Sequence, residues 1–89
     1  MIWKIELSAH AQKNLKDLDK QTAQHILRFL HDRLRPLNNP RDLGEALKGP
    51  KIGLFWKYRL GDYRVIVDIQ DTGLVVLMVR IGHRRKVYR

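Results

Sequence analysis

Residues 54–82, LFWKYRLGDYRVIVDIQDTGLVVLMVRIG, decide how this chain folds. Leu54, Trp56, Tyr58 and Leu60 alternate with Phe55, Lys57 and Arg59, the period of a strand with one buried face. Gly61-Asp62 is a two-residue hairpin signal of the Gly-X kind, because glycine enters a positive-φ position without strain. Tyr63, Val65, Val67 and Ile69 continue on one face of a second strand. Asp71-Thr72-Gly73 reads as a second turn, and Leu74 to Ile81 as a near-continuous apolar strand of the sheet interior, ended by Gly82.

Upstream of this meander the pattern changes. Trp3, Ile5 and Leu7 alternate with Lys4 and Glu6, predicting an opening strand. Ser8 is placed to cap a helix carrying Ala11, Leu15 and Leu18. Asp19 is placed to cap a second helix, on which Ala23, Ile26, Leu27, Leu30 and Leu34 form one apolar stripe. Such a pair with a very short join is an αα-hairpin. Pro36 ends it, Asn38-Asn39-Pro40 reinforces the break, and the stretch to Pro50 reads as a loop with one helical turn around Leu43–Leu47. Strand, two helices, then three strands argue an α+β class, with the helical hairpin packed on one face of a mostly antiparallel sheet.

The hairpin turn sets a register. With Gly61 and Asp62 as the loop, Leu60 faces Tyr63, Arg59 faces Arg64, and Lys57 lies diagonally from Arg64 on the same face. With a three-residue second turn, Arg80 comes to face Arg64 as well. Like charges directly opposite across strands destabilise by about 0.2–1 kcal/mol. A row of such cations therefore calls for an anion. The alternative is that the side chains splay into solvent, or pair with Asp68 or with helical glutamates. Trp56, Tyr58 and Tyr63 share the buried face by alternation, whereas Tyr88 sits in a polar basic ending where a contact to a base is open to it.

Charge supports the search for an anion there. The 89 residues hold 18 Lys and Arg against 9 Asp and Glu, and residues 51–89 hold 9 basic against 3 acidic side chains. With 44% hydrophobic residues the chain is no disordered basic tail. Its length allows one domain over residues 1–89. No cysteine is present, which excludes a disulfide framework and a thiolate metal site and fits a reducing compartment. No apolar run approaches about 18 residues, so no membrane span is expected. The opening MIWKIELSAH alternates too strictly for a secretory leader. His25 and His31 are six apart on one helix and do not share a face, so no helical metal pair forms. No Gly-rich phosphate loop and no Ser-centred elbow occurs, and no cofactor is called for. Only His83, of four histidines, lies within the basic cluster.

The segment FWKYRLGDYRVIVDI followed by VLMVRIGHRRKVYR resembles the RelE/ParE superfamily of type II toxins, in its RelE branch. The likeness extends over essentially the whole chain, including the ALKGP stretch before the hairpin. It implies the RelE-like fold and a cytoplasmic, metal-independent, ribosome-dependent endoribonuclease that cuts mRNA in the A site. It also implies a cognate acidic antitoxin that wraps the toxin and carries the pair to operator DNA. By the same resemblance Lys57, Arg64, Arg84 and Tyr88 match catalytic positions, and the rest of the cationic cluster, Arg59, Arg80, His83, Arg85 and Lys86, supplies the RNA-binding or supporting candidates. Two features depart: best-known members have a further lysine two residues before the first, where this chain has Phe55, and the Gly82-to-Tyr88 segment is two residues shorter than theirs. A ParE-like inhibitor of DNA gyrase and a non-catalytic basic nucleic-acid module are the two alternatives.

Overall fold

Ser8 and Asp19, the two residues expected to start helices, do start them. The Ser8 Oγ accepts from Ala11 N–H at 3.0 Å, and the Asp19 carboxylate accepts from Thr22 N–H at 3.1 Å and from Thr22 Oγ1–H at 2.6 Å. Those bonds hold the Asp19 carboxyl below its ordinary value. The computed structural model describes residues 2–47 and 55–83. Within them the order is β1 (Lys4–Leu7), α1 (Ala9–Asp17), α2 (Lys20–Arg28), β2 (Glu45–Ala46), β3 (Phe55–Leu60), β4 (Tyr63–Gln70) and β5 (Val75–His83). No helix among the described residues is long and apolar enough to cross a membrane.

The second helix does not stop at Arg28. Phe29–Leu34 continues it as π-helical turns, closed by Arg35 N–H on the Leu30 carbonyl at 2.9 Å. The wider winding keeps Ile26, Leu30 and Leu34 in the core, all essentially without exposure. It also delivers the Arg35 carbonyl to Trp3 N–H at 3.0 Å, which ties the helix end to the start of β1.

The five strands form one sheet in the order β1-β5-β4-β3-β2, with β1 parallel to β5 and the other pairs antiparallel. Both helices cover one face. Tyr58, Val65, Val67, Ile69, Val76, Met78 and Ile81 meet Ala11, Ile26, Leu30 and Leu34 there, and Trp56 and Tyr63 pack at the margin, as the alternation requires. The α+β class, the helical hairpin and the meander are all present.

Two local expectations need correction. The helical turn lies at Pro40–Leu43, not around Leu43–Leu47, and is a 3₁₀ turn that Asn39 caps by accepting from Arg41 N–H at 3.1 Å. Glu45 and Ala46 instead pair with Lys57 and Trp56 as an edge strand. The reason lies next door: Tyr58 O–H donates to the Pro40 carbonyl at 2.7 Å and holds the turn against β3. Gly44 is needed at this contact for space, since its φ of −110° suits any residue. A Cβ there would lie 2.9 Å from Tyr58 Cε1 and 3.2 Å from the Lys57 carbonyl oxygen. Neither can yield, one being a buried ring and the other backbone. Gly44→Ala is expected to lower the unfolding free energy by about 1–3 kcal/mol, read as a shifted denaturant midpoint at unchanged m-value.

The second correction concerns register. The turn between β4 and β5 runs over Asp71–Leu74, one residue longer than expected, with Leu74 at φ +53°. A leucine in that region costs roughly 1–2 kcal/mol. Its side chain packs on the core and its carbonyl accepts from Lys4 N–H at 2.8 Å, which together hold it there. A β-bulge then interrupts the β4–β5 ladder between Ile66 and Val67, opposite Val79. Arg80 consequently faces Ile66, and Arg64 faces Gly82, so the expected Arg64–Arg80 pair does not form.

Candidate nucleic-acid interface

The bulge is fixed from outside the hairpin. β1 ends opposite Met78, and among the described residues no strand pairs with the outer edge of β5 beyond it. Two side chains of the α1 region take a strand's place. Ser8 Oγ–H donates to the Val79 carbonyl at 3.1 Å, and Asn14 Oδ1 accepts from Ile81 N–H at 3.0 Å. Their effect is to orient Val79 and Arg80 together toward the face of the sheet that the helices leave open.

That face collects the cations. Gly61 takes φ +61° at the first position of the β3–β4 turn, and Leu60–Tyr63 and Arg59–Arg64 pair as the turn chemistry dictated. Lys57 and Arg80 both lie opposite Ile66, from β3 and β5 respectively, so one row across the sheet reads Lys57, Ile66, Arg80. The next row reads Arg59, Arg64, Gly82. Two departures from the expected register, one from the longer turn and one from the bulge, add up to two residues. Because side chains alternate with period two, Arg80 keeps the predicted face although its partner changed.

Between the cations lies an apolar floor. Leu47 and Ile66 are buried at 8% and 6% exposure, and the partly buried Phe55 and Val79 pack on them. This cluster is separate from the main core beneath the helices.

Lys57 is the most enclosed of the cations whose ion pairs are described, with 14% of its side chain exposed. Its Nζ lies 3.4 Å from the Glu45 carboxylate, and Arg59 Nε lies 3.9 Å from the other Glu45 oxygen. Glu45 was not singled out by the sequence, where the expected acidic partners were Asp68 and glutamates on the helices, of which α1 and α2 carry none. Its alternation with Leu47 was the available signal for a short strand. Asp68 instead accepts from Gln70 Nε2 at 3.1 Å. Arg64 folds back over its own turn, donating from Nη1 to the Gly61 and Tyr63 carbonyls at 3.3 and 3.2 Å. A phosphate offers a charged acceptor in exchange for two long neutral bonds.

His83 does not join this group. It pairs with Tyr63, whose side chain lies on the helix side, and its ring meets the Tyr63 ring edge-on at 5.2 Å and 88°. It therefore sits across the sheet from Arg64. Arg84, Arg85, Lys86 and Tyr88 lie outside the described residues. On the far side of the molecule Arg41 is held bidentately by Asp71 at 2.8 and 3.0 Å and stacks over Trp56 at 5.7 Å. That arrangement ties the 3₁₀ turn to the β4–β5 turn and raises the Arg41 guanidinium while lowering the Asp71 carboxyl.

The chain is similar to proteins of known kind throughout its length. Residues 5–88 match the family described as the ParE toxin of the type II toxin–antitoxin system, parDE. Toxin RelE of Mycobacterium tuberculosis is 34% identical over 85 residues, covering 96% of this chain and 84% of the relative. Among solved structures, the fold resembles the RelBE2 toxin–antitoxin complex of Mycobacterium tuberculosis with a TM-score of 0.84 at 21% identity, covering 94% of this chain and 93% of that one. The RelE–RelB complex of Pyrococcus horikoshii gives 0.75 at 27% identity, covering 97% and 99%. On this sequence match and this shared architecture, the chain belongs to the RelE/ParE superfamily of type II toxin–antitoxin toxins.

Proposed function

We propose that this toxin is a ribosome-dependent endoribonuclease that cuts mRNA in the A site, in the cytoplasm. The observation that carries the reading is the sheet face that α1 and α2 leave open, where Lys57, Arg59, Arg64 and Arg80 stand around an apolar floor. The 34% identical relative bears the RelE name, on the side of this reading, whereas the matching family model bears the ParE name of the gyrase alternative.

The chemistry follows from what RNA supplies. The 2′-hydroxyl loses its proton and attacks the adjacent phosphorus, the P–O5′ bond breaks, and the departing 5′-oxygen takes up a proton. Charge accumulates on the phosphoryl oxygens between these events. Fixed cations in a partly enclosed site stabilise that charge without reorganising. Lys57, held by Glu45 and flanked by the floor, and Arg64, able to exchange its turn carbonyls for phosphate, are the groups placed for this. No step requires a metal ion. Among the described residues the carboxylates that β2 to β5 bring to this face are Glu45, paired with Lys57, and Asp68, so orientation by the ribosome supplies much of the rate, with about 7–11 kcal/mol available from alignment.

The partner in this reading is an acidic antitoxin, which would neutralise the same face and through which operator DNA is reached. Both RelE–RelB structures named above are toxin–antitoxin complexes. Long-range attraction to a chain of formal charge +9 makes such capture fast and salt-sensitive. Purified toxin added to a translating extract is expected to produce cuts at fixed positions within codons of ribosome-bound mRNA. Intact mRNA together with altered plasmid topology would establish the gyrase reading in its place.

A further inference from the structure

The feature left over by this reading is the aromatic ring on the cationic face. Phe55 stands two residues before Lys57 on β3 and so points to the same side of the sheet. It is partly buried, packs against the Leu47–Ile66 cluster, and has Asp68 as its cross-strand partner. Phe55 packs on the small open-face cluster of Leu47 and Ile66, apart from the helix-covered cluster where Trp56 and Tyr58 lie. On the open face it presents an apolar surface beside the groups that attract phosphate.

We propose that Phe55 is the platform of a nucleobase-stacking subsite, taking one base next to the phosphate held by Lys57 and Arg64. This deepens the ribonuclease reading and rests on it. The occupant is argued from complementarity. An RNA nucleotide joins a flat apolar base to an anion, and this face joins a supported ring to Lys57, Arg59, Arg64 and Arg80. Single-stranded recognition combines aromatic stacking with a cationic backbone track in this way. Phe55 is a positioning residue here, because it holds the base and leaves the phosphate chemistry to the cations. Stacking tolerates any base, so the subsite governs rate and register on the codon more than base identity.

The test compares the full-length protein with Phe55→Trp, Phe55→Leu and Phe55→Ala on ribosomes programmed with one mRNA. Phe55→Leu keeps an apolar side chain on Leu47 and Ile66 but has no flat ring, so it separates stacking from packing. Single-turnover cleavage is expected within about twofold of the parent for Phe55→Trp, and slower by about tenfold or more for Phe55→Leu and Phe55→Ala, with melting temperatures of the Trp and Leu variants unchanged. A second readout does not need cleavage. An A-site codon carrying 2-aminopurine and blocked by 2′-O-methyl groups should change its emission with the parent and Phe55→Trp and keep it with Phe55→Leu. Parental cleavage rate and parental emission change in Phe55→Leu would overturn the subsite while leaving the ribonuclease intact. A parent protein that never cuts would overturn the ribonuclease, with the emission still reporting on Phe55.

Discussion

Arg64→Ala is expected to keep its melting temperature while losing at least about a hundredfold in cleavage of ribosome-bound mRNA. Two small effects set the stability side. Removing Arg64 gives up its bonds to the Gly61 and Tyr63 carbonyls, which at 3.3 and 3.2 Å are long and lie at a solvent-accessible turn. The same change relieves repulsion from Arg59, its cross-strand partner, and from Lys57 on the diagonal. Repulsions of this kind are worth about 0.2–1 kcal/mol, close to the bonds lost, so the two offset. The activity side is larger because the transition state carries charge that the ground state does not. Losing one fixed donor to such charge costs about 2.7–4 kcal/mol in related sites. A structural arginine would lose stability and keep rate; a solvated one would lose neither. Cleavage at the parental rate, or a clear fall in melting temperature, would remove Arg64 from the proposed chemistry.

Why the β3 partner of Arg64 could be read in advance and the partner of Arg80 could not is a matter of where each constraint originates. A two-residue turn with glycine first admits one register, so the Arg59–Arg64 pair was readable from six neighbouring residues. Arg80 depends on Leu74 accepting a positive φ and on a bulge opposite Val79. Both are held by contacts from the other end of the chain, through Lys4 N–H, Ser8 Oγ and Asn14 Oδ1. No local pattern carries that information. Glu45 escaped for the same reason: its carboxylate matters only once β2 lies beside β3. His83 was grouped with the basic ending by sequence proximity, whereas alternation along β5 puts it on the Tyr63 side. The buried aromatic face, by contrast, was legible because strand period alone assigns Trp56, Tyr58 and Tyr63 to it.

Tyr58, between Lys57 and Arg59 in sequence but on the opposite face, should behave in the reverse way to Arg64. Its ring is 1% exposed, meets Phe29 at 5.6 Å, and carries a hydroxyl that donates to the Pro40 carbonyl at 2.7 Å. Burial pushes that hydroxyl well above its ordinary pKa, which keeps it a neutral donor at neutral pH. Tyr58→Phe keeps the ring and strands the Pro40 carbonyl, at a cost of about 1–3 kcal/mol. Tyr58→Ala opens a cavity beneath the 3₁₀ turn as well, at about 3–5 kcal/mol, a large part of the 5–15 kcal/mol by which small domains are stable. The damage spreads to the open face, since the turn that Tyr58 holds leads through Gly44 into β2, and β2 carries Glu45 to Lys57. Tyr58→Ala should therefore unfold at much lower denaturant, and cleavage by Tyr58→Phe below its melting temperature should stay near the parental rate. Denaturant titration of the three proteins beside the ribosome assay decides it. A Tyr58→Ala protein as stable as the parent would mean that the 3₁₀ turn and β2 are held by something other than this ring. A fully folded Tyr58→Phe that cannot cleave would place the hydroxyl in the chemistry rather than under it.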